Sequence, residues 1–264
     1  MREILLDELK KIQLDILIRI HDFCMQNGIN YSLSSGTLIG AIRHKGYIPW
    51  DDDIDIYMLR PDFDKFERDF SDPDLQVMSP NKNVNCIYPY GKVYDSRTLL
   101  IEDVNNSMDC LGVNIDVFVI DSVPDNINKR KKLFRKNTLL ENIMLFKIIK
   151  LKKNRNIFKN LILLLGRVAF CYVPLNWLIK KKYNLCIPYN SASKYICNVM
   201  AGGGIKSCIP HCYMSSFIDV EFETHTFRCM KEFDKYLRQN YGNYMKLPPK
   251  EEQISTHSFK AYWK

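Results

Sequence analysis

The densest chemistry in the chain lies in 49-PWDDDIDIYM-58. Side chains on a strand alternate between faces, so Asp51, Asp53 and Asp55 would project together at about 6–7 Å spacing while Ile54 and Ile56 turn toward a core. Three carboxylates so close repel one another unless water or a cation intervenes. Hard oxygen donors of this kind suit Mg²⁺, with Mn²⁺ as the alternative. A further acid, Asp116, sits inside the apolar run 113-VNIDVFVID-121. A lone carboxylate there is costly unless it meets a cation or several donors. If the two segments are neighbouring strands, Asp116 joins Asp53 and Asp55 in a catalytic set suited to metal-assisted phosphoryl transfer, as a ligand or as a base on an acceptor hydroxyl. Asp121 reads as a cap at the strand end. The plain alternative, an exposed acidic turn, does not account for the isoleucine alternation that follows the aspartates.

Upstream, 34-SSGTLIGAIRHKG-46 reads as a small-residue turn entering a helix. Gly36 lets the backbone approach a ligand, and Thr37 with the first free helical N–H groups suits phosphate. Arg43 and Lys45 follow two turns later and are expected to meet anionic oxygens.

The elements that must hold these residues are legible as patterns. Apolar residues at 5, 9, 12, 16, 20 and 23 predict a helix over about 3–26, closed by Asn27-Gly28. Alternation over 29–34 predicts a short strand, 38–43 a helix, 53–58 a second strand and 61–70 a helix with Pro61 in its first turn. Residues 84–101 read as a hairpin around Gly91, and Val113–Ile120 is the strongest strand candidate. From about 126 the pattern is helical, and 230–246 reads as an aromatic amphipathic helix ended by Gly242. Strand–helix alternation followed by helices gives an α+β fold, a mixed sheet core flanked by helices with a basic, largely helical second half. The expected division is a catalytic core over 1–128, a basic insert over 129–215 and a C-terminal segment over 216–264 that packs back on the core.

Charge is segregated in the same way. Residues 129–182 hold sixteen Lys and Arg against one acid, Glu141, whereas residues 1–128 hold 22 of the 30 acids. The basic block encloses 161-LILLLGRVAFCYVPLNWLI-179. Arg167, Pro174 and Asn176 argue against a membrane span, leaving a helix on an anionic membrane surface or a buried helical subdomain. Aromatics are not interleaved with bases as in a nucleic-acid interface, so no nucleic-acid partner is expected. A mean hydropathy of −0.24 excludes a polytopic membrane protein, and 11 Gly with 11 Pro exclude a collagen-like or Pro/Gly-rich disordered chain. The charged N-terminus lacks a signal-peptide pattern, and nine scattered cysteines without C-x-x-C fit free thiols in the cytoplasm. Cys208, His211 and Cys212, with Cys197, form at most a weak zinc pattern of unfamiliar spacing.

The Gly turn, the D-h-D strand and the later strand acid follow the nucleotidyltransferase superfamily pattern, and 36-GTLIGAIRHKGYIPWDDDIDI-56 closely resembles the hallmark of the LicD/fukutin-type phosphotransferase family. Supporting segments are 91-GKVYDSRT-98, 112-GVNIDVF-118, 220-VEFE-223 and 241-YGNYMKLPP-249. The resemblance implies a nucleotidyltransferase-like core that transfers a phospho-alcohol, most often phosphocholine, from a CDP-activated donor such as CDP-choline to a sugar hydroxyl of a glycan or lipid-linked glycan, releasing CMP. It matches Asp53 and Asp55 to the metal-binding pair, Asp51 to a further acid of that motif, Asp116 to the later catalytic acid, and Gly36 and Thr37 to the phosphate turn. Lys92 and Arg97 fall in a segment that could face the donor diphosphate, and Glu223 falls in a Phe-Glu element. The thiols point to the cytoplasm, where the basic insert would hold the protein at the inner membrane face. Departures are Ser35 for a frequent Gly, Val119-Ile120 for Pro-Leu, and Gln253, with His257 nearby, for an Arg after the Pro-Pro turn. Competing functions are a nucleotidyltransferase releasing pyrophosphate and a non-catalytic membrane-associated scaffold.

Overall fold

The long N-terminal helix forms where its apolar spacing requires. The computed structural model describes residues 1–102, 111–152, 156–189, 193–255 and 259–264. Strand β1 (Arg2–Ile4) precedes helix α1 (Leu6–Asn27), whose end is set by Gly28 in the left-handed region at φ 62°. Ile16, Leu17 and Ile20 on its inner face are fully buried. Next come β2 (Ser32–Leu33), α2 (Ser35–His44), β3 (Asp55–Leu59), α3 (Arg60–Asp69), β4 (Leu75–Met78), β5 (Gly91–Asp95), β6 (Thr98–Glu102) and β7 (Asn114–Val123). The second half holds α4 (Ile127–Ile148), α5 (Ile157–Ala169), α6 (Leu175–Tyr183), β8 (Tyr195–Cys197), β9 (Ile209–Pro210), β10 (Phe217–Phe222), β11 (His225–Met230), α7 (Phe233–Tyr241) and β12 (Phe259–Trp263). The fold is α+β, as its sequence pattern requires.

The central sheet runs β2-β3-β7-β5-β4, with β3 and β7 parallel and the other pairs antiparallel. β8 pairs with the C-terminal end of β7, and β9 with β8, so residues 195–210 join this sheet. β7 is therefore paired on both edges, which explains its run of buried Val and Ile. A second sheet, β1-β12-β6, joins the two ends of the chain, and β10-β11 form a hairpin. The main hydrophobic cluster takes residues from Ile4 to Ala261, among them Phe222, Phe227, Tyr236 and Leu237.

Several elements depart from their sequence signal. The strand expected over 53–58 starts at Asp55; Asp51–Ile54 form the lead-in to it, and the Ile54 carbonyl accepts the Asp116 N–H at 2.9 Å. α2 begins at Ser35, so Gly36 and Thr37 lie in its first turn. The expected hairpin at 84–101 is absent: β5 joins β4 and β7, whereas β6 turns away to pair with β12. Met230 belongs to β11, and the helix expected from it begins at Phe233. Asp121 is no cap: it lies within β7, fully buried, and receives two bonds from the Arg60 guanidinium at 2.9 and 2.6 Å. The apolar stretch 161–179 is broken between Ala169 and Leu175 into α5 and α6. Among the described residues no helix is long and apolar enough to cross a membrane.

Candidate active site

β3 and β7 bring the acids together by register. Asp55 lies directly opposite Asp116 on the parallel neighbour, about 4.8 Å away between strand axes, so the two side chains share one sheet face. Asp51, Asp52 and Asp53 each offer a carboxylate oxygen, all within 4.8 Å of one another. Among the described residues this is the one group of three acid, His or Cys side chains so arranged; Cys197, Cys208, His211 and Cys212 make no such group. Burial pushes the Asp55 carboxyl well above the usual range, and the charges of Asp53, Asp116 and Asp51 push it further, with Lys92 opposing. Three neighbouring acids that raise the charging cost of buried Asp55, beside the converging oxygens of Asp51, Asp52 and Asp53, fit a divalent cation.

The supports are equally specific. Thr37 Oγ1 accepts the Asp55 N–H at 2.8 Å, so this buried hydroxyl braces the start of β3. A Cβ on Gly36 would lie 2.6 Å from Asp51 Oδ2, so a larger residue there would push that carboxylate from its place. Asp52 is buried; its carbonyl accepts from Gln13 Nε2 at 3.0 Å and its Oδ2 from Ser255 Oγ at 2.7 Å. Lys92, opposite Asp116 across β5–β7, donates to Asp116 Oδ1 at 2.5 Å and Asn114 Oδ1 at 3.0 Å, under the rings of Tyr88 and Tyr90. Glu223, at the β10–β11 turn, accepts the Tyr47 N–H at 3.0 Å and donates its own N–H to Lys45 O at 2.7 Å, clamping the loop that leads into the aspartates.

Three residues go elsewhere. Arg43 lies about 12 Å along α2 from Ser35, and its guanidinium donates to the Tyr244 carbonyl at 2.6 Å. Lys45 is exposed at the same far end. Arg97 pairs with Asp95 at 2.7 Å and Asp74 at 3.1 Å beyond the other end of β5. Arg43 and Arg97 thus hold a backbone carbonyl and two other acids, and Lys45 faces solvent. His257 lies outside the described residues.

Two hollows flank the acids. A small one, about 70 Å³, is lined by Asp52, Asp53, Lys92, Glu102, Asn114 and Asp116 among others. A larger one, about 320 Å³, has Ser35 and Asp55 at one wall and the rings of Tyr57, Phe118, Tyr236 and Tyr241 around it. Tyr57 packs edge-on against Phe118 and Tyr236, with ring centroids 6.2 and 5.9 Å away, and Tyr236 Oη accepts the Ser35 N–H at 3.2 Å. Ser35 itself is held at φ 49°.

Comparison with known proteins gives a match of residues 28–86 to the LicD/FKTN/FKRP nucleotidyltransferase domain. The lipopolysaccharide cholinephosphotransferase LicD of Haemophilus influenzae is 31% identical over 272 residues, covering 99% of each chain. The chain belongs to the LicD family. Shorter matches link it to uncharacterized proteins of Rickettsia typhi, 35% identical over 28% of this chain and 21% of the relative, and of Rickettsia prowazekii, 50% identical over 16% of each. In this LicD-family protein the matched segment holds α2, the aspartate lead-in and β3, whereas Asp116, Lys92 and much of the larger hollow lie outside it. Sequence reasoning missed that hollow. Its aromatics sit on β3, β7 and α7 at spacings that read as core, and its Asn198 and Gly202–Gly203 sit in a stretch without a motif.

Proposed function

We propose that the chain is a metal-dependent phosphotransferase that moves phosphocholine from CDP-choline to a sugar hydroxyl of a lipopolysaccharide-type surface glycan, with CMP leaving. The observation that carries this reading is the Asp55–Asp116 cross-strand pair, with Asp55 at the wall of the aromatic-lined hollow and Asp116 at the wall of the small one. Tyr57, Phe118, Tyr236 and Tyr241 line the larger hollow, and aromatic ring faces hold a quaternary ammonium by cation–π attraction. The Haemophilus relative, a cholinephosphotransferase by name and alike over 99% of its length, supports the same substrate class.

Asp51, Asp53 and Asp55 would hold Mg²⁺, or Mn²⁺ in its place, which when bound neutralises charge on the donor diphosphate. The glycan hydroxyl attacks the β-phosphorus that bears choline; the new O–P bond forms as the bond to the bridging oxygen of CMP breaks. Asp116 takes the hydroxyl proton on the oxygen that Lys92 does not hold, and Lys92 keeps that carboxylate oriented. The first-turn N–H groups of Gly36 and Thr37 face donor oxygens. Eight free cysteines among the described residues agree with work in the cytoplasm, at the inner membrane face.

The test is CMP release from CDP-choline, CDP-ethanolamine, CDP-glycerol and CDP-ribitol, with Mg²⁺ and membranes carrying the acceptor glycan. CDP-choline should be preferred, Asp53→Asn should abolish release, and Tyr241→Leu should raise KM for CDP-choline about tenfold. Pyrophosphate as the product, or wild-type turnover in Asp53→Asn, would overturn the reading.

A further inference from the structure

The helix α5 is built inside out. Its buried residues are Leu163 and Gly166, which sit against α4: a Cβ on Gly166 would lie 2.5 Å from the Phe146 ring, and Arg167 Nε donates to the Phe146 carbonyl at 2.7 Å. The rest of its apolar content faces outward. Phe158, Leu161, Ile162, Leu165 and Val168 recur at helical spacing along one stripe and are 49–70% exposed. Past the end of α5, Tyr172 is 94% exposed, and Trp177 on α6 is 52% exposed beneath the Lys181 ammonium. A soluble surface rarely leaves so continuous an apolar stripe uncovered.

Charge decides among the occupants. The segment 129–182 has sixteen cations and one acid, and Lys152, Lys159, Lys180 and Lys181, on α5 and α6 or beside them in the chain, are exposed. A second copy seated on this stripe would bring the same positive segment against itself. An acidic lipid surface offers apolar depth for the stripe, negative headgroups for the lysines, and an interface where Trp and Tyr are favoured. We propose that α5, with the turn that carries Tyr172 and the start of α6, lies in the headgroup region of an anionic bilayer as a peripheral anchor. The helix is about 20 Å long and lies parallel to the membrane plane. This inference stands apart from the reaction assigned above.

The experiment is flotation of the full chain with vesicles of equal parts phosphatidylcholine and phosphatidylglycerol, beside vesicles of phosphatidylcholine alone. The chain should float with the anionic vesicles, weakly with the neutral ones, and less as salt rises. The double variant Leu161→Ser, Leu165→Ser should lose roughly tenfold or more in vesicle affinity. Both positions are exposed, so its melting temperature should match the parent, and a single Leu165→Ser variant gives an intermediate readout if the double variant folds poorly. Failure of the parent to float overturns the proposal, as does binding that the serine variants leave unchanged. A parent dimer in solution that the double variant breaks, without vesicle binding, assigns the stripe to a second copy instead.

Discussion

On the proposed reaction, Asp55 is where catalysis and stability conflict. Its folded carboxyl is raised well above the ordinary value of 3.8 by burial and by Asp53, Asp116 and Asp51. The fold therefore binds the proton more tightly than the unfolded chain does. It follows that the metal-free protein loses stability as pH rises from that ordinary value toward the raised one. Asp55→Asn removes the buried charge. At neutral pH without metal its melting temperature should rise by about 2–4 °C, its melting curve should depend less on pH, and CMP release should be lost. A thermal melt across pH beside a turnover assay checks this; an Asn variant that melts below the parent in chelator at neutral pH would contradict the crowding argument. The Arg60–Asp121 pair is the contrasting case. Both side chains are buried, and two short bonds match the charges without reference to a ligand, so this acid serves the fold.

At the scale of elements, the site depends on the loop between α2 and β3. A Cβ on Gly40 would lie 2.4 Å from the Gly46 carbonyl, so the loop packs back on the helix it leaves. Glu223 then holds the loop from the β10–β11 hairpin through both its carboxylate and its backbone. Glu223→Ala removes the acceptor for the Tyr47 N–H and should lower kcat about tenfold at a stability cost of about 1–2 kcal/mol. Glu223→Gln keeps an acceptor oxygen and should restore most of the rate. A melt of each variant beside steady-state kinetics separates this positioning role from simple unfolding, and Gln rescue of kcat separates it from an action by charge.

For the whole molecule, the two ends of the chain meet. β12 lies between β1 and β6, and Ala261 in its middle is buried in the main core. Lys264 also donates its backbone N–H to the Arg97 carbonyl at 3.0 Å. Removing residues 259–264 strips ladder partners from both neighbours and should cost several kcal/mol, about the size of a major core truncation. A denaturant melt of the shortened chain should show a lower midpoint; an unchanged midpoint would mean that the terminal sheet adds nothing to the cooperative unit.

What the sequence determined by itself was local. Apolar spacing gave α1 and its glycine stop, and β-branched density gave β7. The alternation around Asp53–Ile56 predicted which of those side chains are buried even though the strand starts at Asp55. Each signal depends on neighbours within a few residues, which is the range over which periodicity and capping act. The acids were legible for the same reason, since clustered carboxylates in or beside an apolar run need an explanation in any fold. Tertiary structure decided which distant groups meet. Register placed Asp116 against Asp55 and Lys92 against Asp116, whereas Arg43 turned to the Tyr244 carbonyl and Lys45 to solvent. Lys92, Arg43 and Arg97 look alike as cations near a motif, and only the partners that the fold brings to each sort them. The same holds for the aromatic hollow, because Tyr57, Phe118, Tyr236 and Tyr241 follow ordinary core spacing in three separate elements, and a cavity between elements leaves no trace in the spacing of any one of them.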